Sequence, residues 1–199
     1  MSSLIDVIRG RRSVRRYQDR TVSDAALWRI LDAARWAPSA HNRQPWRFAV
    51  LVDPARREQL ARAMGERFRM DLAADGLDSD QIERQVTRSY QRISGAPAVI
   101  VVCMSMTDMD VYPDERRAGA ERIMATQSVA LAVQNLLLAA YDAGLGACWI
   151  CAPLFCPDVV RDVLDLPGDW EAQALITLGY PAQEKTSERA PVEAKVLWF

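Results

Sequence analysis

One histidine in 199 residues, His41, leaves no histidine-rich metal pattern and no evident hydrolytic triad. The N-terminus lacks the apolar core of an export signal, so a cytoplasmic protein is expected. The four cysteines are then expected to be thiols rather than structural disulfides. The one long uncharged run, residues 123–141, contains Thr126, Gln127, Ser128, Gln134 and Asn135. Such groups are costly in lipid, so the run is predicted to be a buried helix and no membrane partner is expected. No G-x-G-x-x-G occurs, because Gly144-Leu145-Gly146 runs into Ala147, Cys148 and Trp149, and this argues against a dinucleotide-binding fingerprint. Internal repeats and linkers are also lacking.

Half of the residues are hydrophobic and 26% are charged, a globular composition at the length of one domain, taken as 1–199. The net charge of -1 hides an asymmetry. Residues 1–70 hold fifteen arginines and seven acidic residues, against ten basic and nineteen acidic in the remainder. A basic N-terminal part favours an anionic ligand such as a phosphate. No nucleic-acid motif accompanies it, and nucleic acid is not expected as a partner.

Residues 2–9 are predicted to form a short amphipathic helix with Leu4, Ile5 and Ile8 on one side. The run Arg11-Arg12-Ser13-Val14-Arg15-Arg16-Tyr17 then reads as an extended crossing of the surface. Ser23 is placed to cap a helix with Leu27, Ile30, Leu31 and Ala34 at helical spacing, which Pro38 stops. Ser39, His41, Asn42, Arg43 and Gln44 put donors and acceptors into the turn before a strand at 46–52. A loop so polar between rigid elements is where binding groups are usually placed. Asp53-Pro54 opens a helix predicted to end near Met64. Residues 65–95 are arginine-rich, with Gly76 and 78–80 dividing two helical pieces of weak apolar face. A mobile lid is expected there.

Residues 96–103 are predicted to be a strand buried on both faces. A helix at about 114–143, ended by Gly144, is apolar nearly all round and belongs at the centre or in a subunit interface. Strands are expected at 144–150 and 172–178, with a helix through Leu164 between them. Residues 196–199, VLWF, form an apolar end that a partner chain would cover. The alternation of helices and strands indicates one α+β layer structure.

The segments RRSVRRY, APSAHNRQPW, MATQSVALAVQNLLLAAYDAGLGACWI and ALITLGYPAQ stand in the order of the signatures of the nitroreductase family. Over nearly its whole length the chain resembles this family of flavin-dependent oxidoreductases. The resemblance implies an α+β fold with a central mixed or antiparallel sheet flanked by helices and a long central helix at a homodimer interface. It implies FMN as cofactor, NAD(P)H as electron donor, and a small organic acceptor such as a nitroaromatic or a quinone.

By the same resemblance Arg11, Arg12 and Ser13 contact the flavin phosphate, ribityl chain and nearby ring edge. Arg15 takes the place of a cation near the pyrimidine carbonyl, where it would stabilise the reduced ring. Arg189 matches a late basic phosphate ligand, with Lys185 as second choice, and Gly179 falls beside the same turn. Pro38, Ser39, Ala40, Asn42 and Gln44 would complete the site of the other subunit. The segment Cys148-Trp149-Ile150 would lay backbone amides against the reactive side of the ring. No catalytic side chain is implied, since the cofactor makes and breaks the bonds. His41 is a candidate acid but reads more simply as a hydrogen-bonding surface residue.

Other readings stay open. Residues 65–95, MATQSVALAVQNLLLAA and CAPLFCP are similar to flavin domains attached to deazaflavin-coenzyme biosynthesis ligases, which implies reduction of a dehydro precursor of that coenzyme. From another class, Cys148 and Cys151 in C-x-x-C could be a redox pair, or could bind zinc with Cys103 and Cys156. A third reading is a non-catalytic flavin- or nucleotide-binding module.

Overall fold

The computed structural model describes residues 3–183 and 186–199. Among them the sheet has four strands: β1 (Trp46–Leu51), β2 (Ala98–Met104), β3 (Gly146–Ile150) and β4 (Glu171–Gly179). Their order is β1-β2-β4-β3, and each neighbouring pair is antiparallel. Of the two sheet types left open by the sequence, the antiparallel one is present. All seven residues of β2 are buried, because helices cover both sides of it. Ala98, Ile100, Val102 and Met104 enter one core, and Val99, Val101 and Cys103 the other, as the period of two requires.

Six α-helices make the two covering layers among the described residues: α1 (Leu4–Gly10), α2 (Asp24–Arg35), α3 (Pro54–Ala74), α4 (Ser79–Ser94), α5 (Glu115–Asp142) and α6 (Pro157–Leu164). Leu27, Ile30 and Ala34 of α2 meet Val129, Val133 and Leu136 of α5 in the first core. Leu60 and Met64 of α3 and Val160 of α6 fill the second. Side-chain caps at Ser23, Asp53, Asp78 and Asp114 satisfy orphan amides at the starts of α2 to α5.

Two expectations change. Helix α3 does not stop near Met64 but runs to Ala74. Gly65 does not break it, and a Cβ there would make only an ordinary contact with Val86, at 3.4 Å. The break comes at Gly76, whose φ of +79° supplies the left-handed turn. Helix α4 also has a real apolar stripe, Ile82, Val86 and Ile93, so the α3–α4 pair carries a small core of its own with Leu72.

Helix α5 buries Ala125, Val129, Ala132, Val133, Leu136 and Ala140, while Ile123, Leu131 and Tyr141 point outward and are exposed in the single chain. Leu4, Ile5 and Ile8 of α1 are exposed too, as are Leu197, Trp198 and Phe199.

Candidate functional site

The arginine-rich segment lies where Gly146 lets it lie. A Cβ on Gly146 would stand 2.7 Å from Val14 Cβ, so only glycine admits the segment onto β3. The Val14 amide donates to the Ala147 carbonyl at 2.9 Å, and Ser13 bridges Ala147 in parallel. Tyr17 fixes the other end, its hydroxyl 2.7 Å from the Val14 carbonyl oxygen and 2.8 Å from Thr177 Oγ1. Burial pushes the Tyr17 phenol well above its ordinary range, so it stays protonated and can donate. Gly179 has a packing reason of its own, because a Cβ there would meet Pro97 at 2.7 Å and Tyr17 at 3.0 Å.

The fixed segment delivers Arg11 and Arg12 to the chain's other end. Arg12 Nη2 donates to the Ser187 carbonyl at 3.1 Å, and Arg189 Nη1 donates to Ser187 Oγ at 2.9 Å. Burial, then the like charges of Arg189 and Arg12, lower the Arg11 guanidinium pKa. Among the described residues none of the three arginines has a carboxylate within ion-pair distance. Arg12 Nε is buried and lacks a protein partner. Three planar cations gathered without a counter-charge repel one another, and a phosphate monoester offers the charge and oxygens to join them. This donor set fits the phosphate of a mononucleotide. Lys185 lies outside the described residues.

The polar turn is built under strain. His41, Asn42 and Gln44 have φ of 50°, 55° and 53°, values that side-chain-bearing residues rarely adopt. Ser39 Oγ accepts from the Gln44 amide at 3.0 Å, and Ser128 Oγ of α5 accepts from the Ala40 amide at 3.2 Å. Pro38, Asn42 and Gln44 are exposed, as is His41. The turn leads into β1, at the opposite edge of the sheet from β3. Three strand spacings, roughly 14 Å, separate these edges. No hydrogen bond among the described residues links 38–44 with 11–15. One chain does not bring its two polar motifs together.

At the end of β3, Cys148 is buried while Cys151 is exposed. Burial raises the Cys103 thiol to about 12 and that of Cys156 to about 11, so both are neutral and unreactive near pH 7. No group of three His, Cys, Asp or Glu among the described residues could hold a metal ion. C-x-x-C runs from within β3 to Cys151, just before a short 3-10 turn (Ala152–Phe155), and does not open an α-helix as a dithiol motif does. Trp149 packs into the α2–α5 core, and Ile150 into the opposite one. Ile150 and Cys151 also line a cavity of about 500 Å³ whose far wall is α3 and α4. Sequence reasoning missed the anchoring by Tyr17 and Ser128, because the partners that fix them to the rest of the fold, Thr177 and the Ala40 amide, are distant in the chain.

A four-stranded antiparallel sheet enclosed by two helical layers thus carries an arginine cluster beside its β3 edge. The profile of the Nitroreductase family matches residues 8–180, and the chain belongs to that family. A Thermus thermophilus protein named NADH dehydrogenase is 34% identical, with 94% of this chain and 92% of the relative covered. A Rhodospirillum rubrum protein named 5,6-dimethylbenzimidazole synthase is 32% identical over 87% of this chain and 80% of its own. A Desulfovibrio desulfuricans protein solved in complex with FMN, and described as a nitroreductase, superposes with a TM-score of 0.77. It is 31% identical and the match covers 100% of this chain and 98% of that one.

Proposed function

We propose that this chain is an FMN-dependent oxidoreductase that takes hydride from NAD(P)H and passes it to a small organic acceptor, working as a homodimer. The observation that carries the reading is the gathering of Arg11, Arg12 and Arg189, with no carboxylate within ion-pair distance of any of them among the described residues. Family membership and an FMN-bound relative support it.

FMN supplies the two-electron chemistry when bound, taking up hydride from the donor and releasing it to the acceptor. Arg11, Arg12 and Arg189 hold the phosphate through charge-assisted hydrogen bonds. Ser13, whose backbone bridges Ala147, would contact the ribityl chain and ring edge. Arg15 supplies positive charge toward the pyrimidine edge, favouring the electron-rich form. The backbone of Cys148, Trp149 and Ile150 backs the ring, and Gly179 keeps the underlying strand close to Tyr17. Because Pro38, Ser39, Ala40, Asn42 and Gln44 stand at the far edge of their own sheet, they serve a second chain's site. The exposed outer side of α5 and the apolar residues 196–199 are surfaces that a second chain would cover. Donor and acceptor share one pocket, so the donor leaves before the acceptor enters and the kinetics are ping-pong.

Reduction of a dehydro precursor in deazaflavin-coenzyme biosynthesis would use the same cofactor site and differs only in the acceptor. The direct experiment is isolation of the protein, identification of its flavin, and anaerobic titration with NADH and NADPH followed by absorbance. Bleaching of a bound-FMN spectrum by either donor is the expected outcome. A colourless protein that takes up no added FMN would overturn the proposal.

A further inference from the structure

The cavity between α3, α4 and the turn after β3 is not used by the phosphate cluster. Its volume is about 500 Å³, within the range of sites for small organic molecules. Met64, Phe68, Leu72, Ile150 and Phe155 give it apolar walls. Arg88 and Arg92, one helical turn apart on α4, stand over them.

These two differ from their neighbours. Arg67 is held by Asp158 at 2.7 Å, and Arg69 by Glu66 and Glu83. Arg88 and Arg92 have no carboxylate within ion-pair distance among the described residues, although Asp71 and Asp75 line the same cavity. Burial, then the like charges of Arg88 and Arg15, lower the Arg92 guanidinium pKa. Arg15 adds to the positive potential at Arg92 without lining the cavity. Unmatched cations held side by side above an apolar floor are disfavoured in the empty protein and relieved by a bound anion. The carboxylates of Asp71 and Asp75 repel a second negative group, so the fitting molecule carries its charge at one end.

We propose that this cavity is the acceptor subsite and that Arg88 and Arg92 select aromatic acceptors bearing a carboxylate, sulfonate or phosphate at one end. The inference rests on the flavin reading, because Ile150 and Cys151 connect the cavity to the strand assigned to the ring. It deepens that reading by naming the acceptor's chemical class.

Calorimetric titration of the oxidised protein with 4-nitrobenzoate and 4-nitrobenzamide tests it, the two probes having similar shape and different charge. Nitrobenzoate is expected to bind at least about tenfold more tightly at low salt, and the preference to shrink as salt screens the arginines. The Arg88→Gln/Arg92→Gln double substitution should abolish the preference, and Arg88→Lys/Arg92→Lys should restore part of it. Arg84→Gln, on the same helix but off the cavity, should leave it unchanged. Steady-state turnover with the same two acceptors should follow the same ratio. Equal binding of the two probes by the unsubstituted protein would overturn the inference, as would a preference that survives the double substitution. A rise in KM for NADPH with no change in the acceptor ratio would instead assign the arginines to the donor's phosphates, and would also overturn it. The two readings fail separately: a protein that never holds FMN refutes the cofactor assignment, whereas a flavin-loaded protein without anion preference refutes only the subsite.

Discussion

Replacing Arg11 or Arg189 with alanine should separate recognition of the flavin phosphate from recognition of the rest of the flavin. Charge-assisted hydrogen bonds of this kind contribute about 1.5–3 kcal/mol. Arg11 is partly buried beside Arg12, whereas Arg189 is exposed, so water compensates more for loss of the second. Arg11→Ala belongs at the upper end, roughly a hundredfold weaker FMN binding, and Arg189→Ala at the lower end, about tenfold. Riboflavin lacks the phosphate, and its affinity should change by less than about twofold. The flavin-free protein should not be destabilised by loss of the charge. Removing one of several mutually repelling cations relieves roughly 0.2–1 kcal/mol, the scale of exposed charge pairs. Fluorescence titration of flavin-stripped protein with FMN and with riboflavin gives the affinities, and thermal unfolding of the same samples gives the stability. Parallel weakening of both flavins, or a marked fall in melting temperature, would mean that these arginines support the fold rather than grip a phosphate. The reverse rank order, with Arg189 dominant, would refute the burial argument.

Gly146→Ala places a Cβ 2.7 Å from that of Val14, which is fixed close to the backbone and cannot swing away. Overpacking of this kind costs about 1–3 kcal/mol, and FMN retention should fall with it; a variant that melts and retains FMN like the unsubstituted protein would show that the segment is not seated through Gly146. A disulfide reagent such as DTNB should find one fast thiol in the native protein, Cys151, and Cys151→Ser should abolish that phase, because the other three cysteines are buried. Two or more fast thiols would contradict this burial pattern. Multi-angle light scattering should find a flavin-loaded species of twice the chain mass, and Leu131→Arg on the exposed side of α5 should split it and release flavin. An active, flavin-loaded monomer would refute the shared site.

Much of this architecture was legible because its causes are local. The apolar, β-branched run at 96–103 reads as a strand covered on both faces, and Ala98–Met104 is that strand. The caps Ser23 and Asp53 and the stop at Pro38 act within a turn or two of the chain, and α2 and α3 begin where they indicate. The end of α3 is not legible locally: residues 65–74 are rich in charge, and Leu72 is held by Ile82 and Val86 of α4, a contact between separate helices.

The sequence by itself determined the family, the order of elements and the excess of arginine around the two polar motifs. The tertiary structure alone decided which arginines meet. Arg12 and Arg189 share Ser187 because Tyr17 and Gly146 fasten residues 11–17 to the sheet beside the returning chain. Arg67 is tied to Asp158 while Arg88 and Arg92 have no ion-pair partner among the described residues, although all three look alike in the sequence. The turn at 38–44 and the segment at 11–15 were also placed on opposite edges by strand order, which no local pattern encodes. The physical reason is range: caps, turns and periodicity act over a few residues, whereas charge pairing and site assembly depend on which distant segments the packed core brings within a few ångströms.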